Sequence, residues 1–263
     1  MRKSTHYKNK NNENKVVIPK RNSQISNINV KGPRFAAFTT PGEYKFKVPR
    51  KAESLVFQVV GAGGGGGSAI GGNISSPGGG GGAGAFVNVQ VSGSCLQQLK
   101  ERSPLQITVG EGGGYGVTGI GNPGGHSEVK DLVTAQGGYG GRNGSTYYTI
   151  GGLGGTGGLF SVIGVTSLYK YYGHRGQNGQ RGRSHIGFET FGHGGQGGSV
   201  AYFGGIGGYG AWSNIDNEIN GEDGQSPGGG GGGGTFAIDE ETNVLSLAGH
   251  GGKGGNGVVI IYY

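Results

Sequence analysis

The sequence predicts an all-β protein: a small β-sandwich carrying an ordered bundle of glycine-rich polyproline II helices, preceded by a basic N-terminal arm. Three observations point there. Glycine supplies 68 of 263 residues, against roughly 7% in ordinary proteins, and all but Gly32 and Gly42 fall from Gly61 onward. Much of that glycine recurs at every third position. The apolar residues between the glycine tracts alternate with the period of a strand rather than that of a helix. Hydrophobic residues make up 32% and charged residues 14%, both low for a soluble domain, so a large Leu/Ile/Val core is excluded. An all-helical protein is excluded too, since each helical glycine costs about 1 kcal/mol relative to alanine. Collagen fails because its Gly-X-Y period must be unbroken and proline-rich. Here there are eight prolines, and the longest strict run of non-glycine doublets is Gly173, Gly176, Gly179, Gly182.

The arm comes first, over residues 1–35. It holds nine Lys/Arg against Glu13 alone, a charge of +8, whereas 36–263 carries −1. A near-neutral body excludes a protein that grips nucleic acid over its whole surface. Composition alone reads the arm as a solvated tail; the sharper reading is an anchor. In that reading Arg2, Lys3, Lys8, Lys10, Lys15, Lys20 and Arg21 meet an acidic partner surface, while Ile25, Ile28 and Val30 make intermittent apolar contacts. No apolar h-region follows the first residues and no run approaches the 18 residues of a spanning helix. The expectation is therefore no signal peptide and no membrane span.

From Phe35 the texture changes. A Pro41-Gly42 turn signal precedes alternation at Tyr44, Phe46 and Val48, and a second alternating run is Leu55, Phe57, Val59. These predict strands at 43–48 and 54–60 joined by a turn at Pro49–Glu53. Further strands are predicted at 85–92, 104–109, 126–134, 145–150, 234–238, 244–248 and 257–263. The one segment with helical spacing is Ser94–Arg102.

The glycine between the strands is of two kinds. Gly63–Gly67, Gly78–Gly82 and Gly228–Gly234 are nearly pure glycine. Others keep a period of three: Gly110/Gly113/Gly116/Gly119, Gly138/Gly141/Gly144, Gly151/Gly154/Gly157, Gly192/Gly195/Gly198, Gly204/Gly207/Gly210 and Gly249/Gly252/Gly255. Three residues per turn is the polyproline II period. A face of glycine lets such helices approach closely enough to pair backbone N–H and C=O groups between them, which satisfies buried backbone without a ladder or an α-helix. Flexible linkers would need neither the phase nor Leu, Ile, Tyr and Phe at the third position.

These residues also carry a resemblance. The stretch Phe38–Gly67, FTTPGEYKFKVPRKAESLVFQVVGAGGGGG, resembles the opening of the glycine-rich domain of bacteriophage tail-fibre and virion proteins. GGGGGAGAFVNVQVS (Gly78–Ser92), LQITVGEGG (Leu105–Gly113) and GGKGGNGVVIIYY (Gly251–Tyr263) continue it in order. A similar arrangement occurs in the extracellular glycine-rich region of anaplastic lymphoma kinase receptors. The resemblance covers about 36–263 and implies a β-sandwich with a glycine-rich bundle, no catalysis, and a place among fibre, adhesin or other particle-surface components. The Lys/Asn-rich arm is not part of the pattern, and neither a kinase nor a spanning segment accompanies it.

Chemical motifs are sparse. A Walker-type loop needs Lys and Ser/Thr after its last glycine, whereas Gly252-Lys253 is followed by Gly254. The six histidines form no HExxH. Glu218, Glu222, Asp223 and Asp239–Glu241 offer oxygen ligands for calcium but read more simply as solvated loop charge. Cys95 stands alone, so no intrachain disulfide forms. The expectation is no enzyme, no cofactor and no metal. Recognition is expected instead along Leu168–His193 and Tyr202–Trp212, where Tyr169, Tyr171, Tyr172, Arg175, Arg181, Arg183, Tyr202, Tyr209 and Trp212 supply the amphipathic rings and forked donors that suit binding.

The function expected is a non-enzymatic virion structural protein, a capsid- or tail/fibre-associated surface component. The arm anchors it to other virion structural proteins, and its loops contribute to attachment to a host receptor or glycan. Alternatives from other classes are a soluble glycan- or ice-binding module and nucleic-acid binding by the arm. The irregular third positions argue against a flat ice-binding face, and the apolar residues within the arm argue against nucleic acid as its partner.

Overall fold

The computed structural model describes residues 34–70, 76–116, 119–144, 152–163, 170–184, 192–201, 204–211, 219–238 and 245–263. Two five-stranded antiparallel sheets face each other. In one the order is β1-β14-β3-β4-β9, built from β1 (Phe35–Phe38), β14 (Val258–Tyr262), β3 (Ser54–Val60), β4 (Phe86–Ser92) and β9 (Lys170–His174). In the other it is β2-β5-β6-β7-β8, from β2 (Gly42–Phe46), β5 (Leu105–Val109), β6 (Ser127–Val129), β7 (Val133–Ala135) and β8 (Phe160–Val162). Alternation does the sorting: Leu55, Phe57 and Val59 of β3 and Val87, Val89 and Val91 of β4 are buried against Phe46, Leu105, Ile107, Val129 and Val133. The short helix α1 (Gly93–Glu101) covers one end of this core with Cys95, Leu96 and Leu99.

Most of the predicted strands are found, with three differences. The strands at 43–48 and 54–60 are in different sheets, so the turn between them carries the chain across the sandwich. It is closed by the Ala52 N–H on the Pro49 carbonyl and pinned by Lys100 Nζ, which donates to the Arg50 and Ala52 carbonyls at 3.0 and 2.8 Å. The single strand expected over 126–134 is a hairpin, because Lys130 and Asp131 form a turn with Asp131 at φ 60°. β1, β8 and β9, and the two-residue strands at Arg183–Ser184 and Gly192–His193, carry no strong alternating signal and are not predicted by the sequence. The strand predicted at 145–150 lies outside the described residues.

The sandwich strands run without a break into extended glycine segments. We label these g1 (61–69), g2 (77–85), g3 (110–116), g4 (119–126), g5 (136–144), g6 (152–159), g7 (175–182), g8 (194–200), g9 (205–211), g10 (219–225), g11 (228–235) and g12 (249–257). β3 leads into g1 and g2 returns to β4; β5 leads into g3 and g4 returns to β6; β7 leads into g5 and g6 returns to β8; β9 leads into g7, and g12 returns to β14. Two short sheets lie at the opposite end. One pairs β10 (Arg183–Ser184) with β11 (Gly192–His193) between g7 and g8, and the other pairs β12 (Phe236–Ile238) with β13 (Leu245–Ala248) between g11 and g12.

The segments are joined by backbone hydrogen bonds that step three residues at a time. The three that hold the unbroken glycine tracts, g1, g2 and g11, form the centre. Gly64 N–H donates to Gly82, Gly81 to Gly231 and Gly231 back to Gly64, at 2.9, 2.8 and 2.9 Å. Three residues further out, Gly67 donates to Gly79, Gly78 to Gly234 and Gly234 to Gly67, at 2.8, 2.9 and 2.9 Å. Each remaining phase addresses another neighbour. In g1, Gly63, Gly66 and Ala69 donate to Gly255, Gly252 and Gly249 of g12, while Ala62, Gly65 and Ser68 donate to Gly125, Asn122 and Gly119 of g4. Carbonyls of g1 accept from Gly113 of g3 and from Gly138 and Gly141 of g5. The inner segments are thus enclosed on every side, and the others form a closed ring in the order g3, g4, g5, g6, g7, g8, g9, g10, g12.

Steric room then dictates composition. A Cβ on each of Gly63, Gly64, Gly65, Gly66 and Gly67 would overlap the backbone of Gly229, Tyr139, Gly114, Gly232 and Arg142 respectively, five different neighbouring chain positions in a row. No phase is free, so the tract is pure glycine. Ring segments that touch two inner ones keep one outward phase: Gln136, Tyr139 and Arg142 in g5, and His250, Lys253 and Asn256 in g12. g7 touches one inner segment, g2, and has one glycine per triplet (RGQNGQRG). Pure glycine marks the enclosed segments; among those that touch one inner neighbour, g3, g6 and g9 keep two glycines per triplet whereas g7 and g10 keep one. Paired backbone, rather than apolar side chains, fills the interior. A small apolar cluster of Val60, Ala83, Phe86, Val200 and Val258 marks where this lattice leaves the sandwich.

Candidate recognition surface

In the Gly-Gly-X segments of the ring the third position points to solvent because the other two meet neighbouring backbone. In g5, Cβ atoms at Gly137 and Gly138 would overlap the Gly124 and Gly82 carbonyls, and those at Gly140 and Gly141 the Gly121 and Gly79 carbonyls. Tyr139 between them is 59% exposed. The antiparallel register aligns these side chains across segments. The Gln136, Tyr139 and Arg142 N–H groups donate to the Leu159, Thr156 and Leu153 carbonyls of g6, and Gly121 of g4 donates to Gly141. Ile120, Tyr139, Arg142, Leu153, Thr156 and Leu159 therefore share one face, with Leu153 and Leu159 about half exposed.

The charge on the ring is divided. Segments g4, g5, g6 and g7 contain no carboxylate and present Arg142, Arg175 and Arg181. Arg175 Nε lies 3.4 Å from the Gly157 carbonyl, which leans its stem along g6. Segments g9, g10, g12 and g3 carry Glu222, Asp223 and Glu111, with Lys253 as their one Lys or Arg, beside exposed Ile206 and Tyr209. Within this second arc the Lys253 N–H donates to Asp223 Oδ1 at 2.7 Å, and the Tyr115 ring stacks on His250 at 4.2 Å and 15°.

The residues expected from the sequence to serve recognition fall in several places. Arg175 and Arg181 are exposed together on g7. Tyr172, half exposed on β9, packs its ring 5.9 Å from that of Phe86, so it partly caps the sandwich. Tyr209 is exposed on g9 but belongs to the acidic arc, separated from g7 by g8. Tyr171 and Arg183 are in β9 and β10. Tyr169, Tyr202 and Trp212 lie outside the described residues, as do all the arm positions from Arg2 to Val30. Ile120, Tyr139, Arg142, Leu153 and Leu159 were not singled out. The signal that could have found them is the triplet phase, which makes the lone non-glycine of a Gly-Gly-X repeat an outward residue.

Among the described residues no group of three or more His, Cys, Asp or Glu comes together as metal ligands would. Nor does any helix there have the length and apolarity to cross a membrane. A shallow polar cleft beside α1 is lined by Arg50, Gln97, Lys100 and Glu101. Residues 39–263 match a family described as a glycine-rich domain. No curated protein matches the chain.

Proposed function

The chain belongs to the glycine-rich domain family, and on that premise we propose that it is a non-enzymatic structural component of a virus particle, attached by its basic arm and displaying its body at the particle surface. The observation that carries this reading is the division of labour in the ring. Stability resides in backbone bonds between glycine segments, so outward side chains are free to serve contacts without disturbing the scaffold. Such a body suits display, and residues 1–35, at +8 against −1 for the rest, suit an acidic partner on a neighbouring structural protein. Attachment to a host receptor or glycan is the more specific form, carried by the Tyr, Leu and Arg side chains of the ring. In the same reading the glycine segments are polyproline II helices, since their hydrogen bonds recur with that helix's three-residue period. Far-ultraviolet circular dichroism with a polyproline II signature, lost on heating, tests that assignment.

Cross-linking mass spectrometry on intact particles tests the placement. The expected result is links from Lys3, Lys8, Lys10, Lys15 and Lys20 to a shell, vertex or fibre protein. Links confined to the chain itself, or to nucleic acid, would replace this reading with that of a free binding module or an arm-borne nucleic-acid binder.

A further inference from the structure

The two arcs of the ring are opposite in charge and built on one repeat. On the first, Arg142, Arg175 and Arg181 stand among exposed Ile120, Tyr139, Leu153 and Leu159. On the second, Glu111, Glu222 and Asp223 stand beside exposed Ile206 and Tyr209. Both arcs repeat along the lattice with the same three-residue hydrogen-bond step, between ring neighbours that are antiparallel everywhere except g10 and g12, which run parallel through Gly221 to His250 and Gly224 to Lys253. Rows on one arc are therefore commensurate with rows on the other along the length of the lattice. Clustered exposed apolar side chains rimmed by charge mark interaction surfaces.

We propose that the basic arc of one copy docks on the acidic arc of a second copy, so that the chains associate side by side. The arginines meet the carboxylates, and the Tyr139–Leu153–Leu159 ridge meets Ile206 and Tyr209. The occupant is a second copy because the molecule itself carries the surface complementary in both charge and apolar character. The contact is head-to-tail: each copy that has used one arc still offers the other, so association continues unless the rotation between copies closes a ring. Nothing in this depends on whether the arm anchors the chain to a particle.

Sedimentation velocity on the full-length chain, over a concentration series, tests it. Association is expected at roughly 0.01 M ionic strength and is expected to weaken steeply toward about 1 M, as the Debye length falls from about 30 Å to about 3 Å. Two variants then separate this surface from others. Arg142→Glu/Arg175→Glu/Arg181→Glu leaves a copy with two acidic arcs. Glu111→Lys/Glu222→Lys leaves one with two basic arcs, with Asp223 kept because its carboxylate accepts the Lys253 N–H. Each alone is expected to associate at least about tenfold more weakly than the unmodified chain, and an equimolar mixture of the two to associate again. That recovery also shows that both variants fold. The proposal is overturned if the unmodified chain stays monomeric at low salt at every concentration. It is equally overturned if the arginine variant associates as the unmodified chain does, which would move the contact to the arm or to a sheet edge.

Discussion

The inner segments g1, g2 and g11 and the ring around them use the same backbone bonds but differ in what their sequence can tolerate. Gly81 is closed in by the carbonyl of Gly64 and cannot gain a methyl group, whereas Tyr139, hydrogen-bonded just as well through its N–H, projects a whole phenol into solvent. Glycine in this protein therefore reports proximity of other chains rather than flexibility. A pure tract is enclosed on every side, and a Gly-Gly-X tract leaves one phase open. The sandwich follows the opposite rule, filling its interior with Phe57, Val59, Val89 and Ile261.

The largest effect is expected where that enclosure is broken at the centre. Gly81→Val would drive a branched side chain into the Gly64 backbone, which is itself held by Gly231 and Gly82. Overpacking typically costs about 1–3 kcal/mol when side chains can shift. Here the obstacle is backbone, so a loss above about 4 kcal/mol is expected, seen by calorimetry as a collapse of Tm or as failure to fold. Phe57→Ala attacks the other region, at about 3–5 kcal/mol. Because β3 passes directly into g1, both variants are expected to melt in one transition. Two separate transitions would mean that the sandwich and the glycine lattice are independent units, and the comparison would have to be redrawn.

A finer test walks alanine through g5. Gly137→Ala and Gly138→Ala should each cost about 1–3 kcal/mol, Tyr139→Ala no more than about 0.5 kcal/mol, and Gly140→Ala and Gly141→Ala should again be costly. Chemical denaturation of the five variants should trace this three-residue wave. A uniform cost would refute the outward phase assigned to Tyr139. Hydrogen exchange sharpens the same contrast: the amides of Gly64, Gly81 and Gly231, whose bonds to Gly82, Gly231 and Gly64 tie g1, g2 and g11 into a closed triangle, should exchange only on global unfolding. Those of Tyr139 and Arg142, between two ring segments, should exchange through smaller openings.

Much of this is legible in the sequence itself. Alternation at Leu55, Phe57 and Val59 marked β3 to the residue, the spacing of Ser94–Arg102 marked α1 to within one, and the division between pure and triplet glycine marked the inner segments apart from the ring. Neighbourhood was not legible. Triplet phase says that Tyr139 and Leu153 each point outward, but only the register of g5 against g6 says that they share a face. β1 was missed because FAAF is four residues without alternation, and β9 because KYYGH contains a glycine and sits at a sheet edge, where little burial pattern is imposed. The recognition residues expected from Tyr and Arg content were dispersed for the same reason: g8 stands between Arg181 and Tyr209.

The smallest expected effect on stability separates scaffold from surface. Tyr139→Ser/Leu153→Ser/Ile206→Ser removes three large exposed apolar groups and touches no backbone donor or acceptor of the lattice. Each change should move stability by no more than about 0.5 kcal/mol, so the melting curve should nearly overlay that of the unmodified chain. Self-association should nonetheless fall, because the ridge on one arc and its apolar counterpart on the other are both gone. A variant that melts normally and still associates would leave the arginines and carboxylates as the whole of the contact. One that melts early would show that these side chains help hold the segments together, and that the ring is less free to vary than its backbone bonding implies.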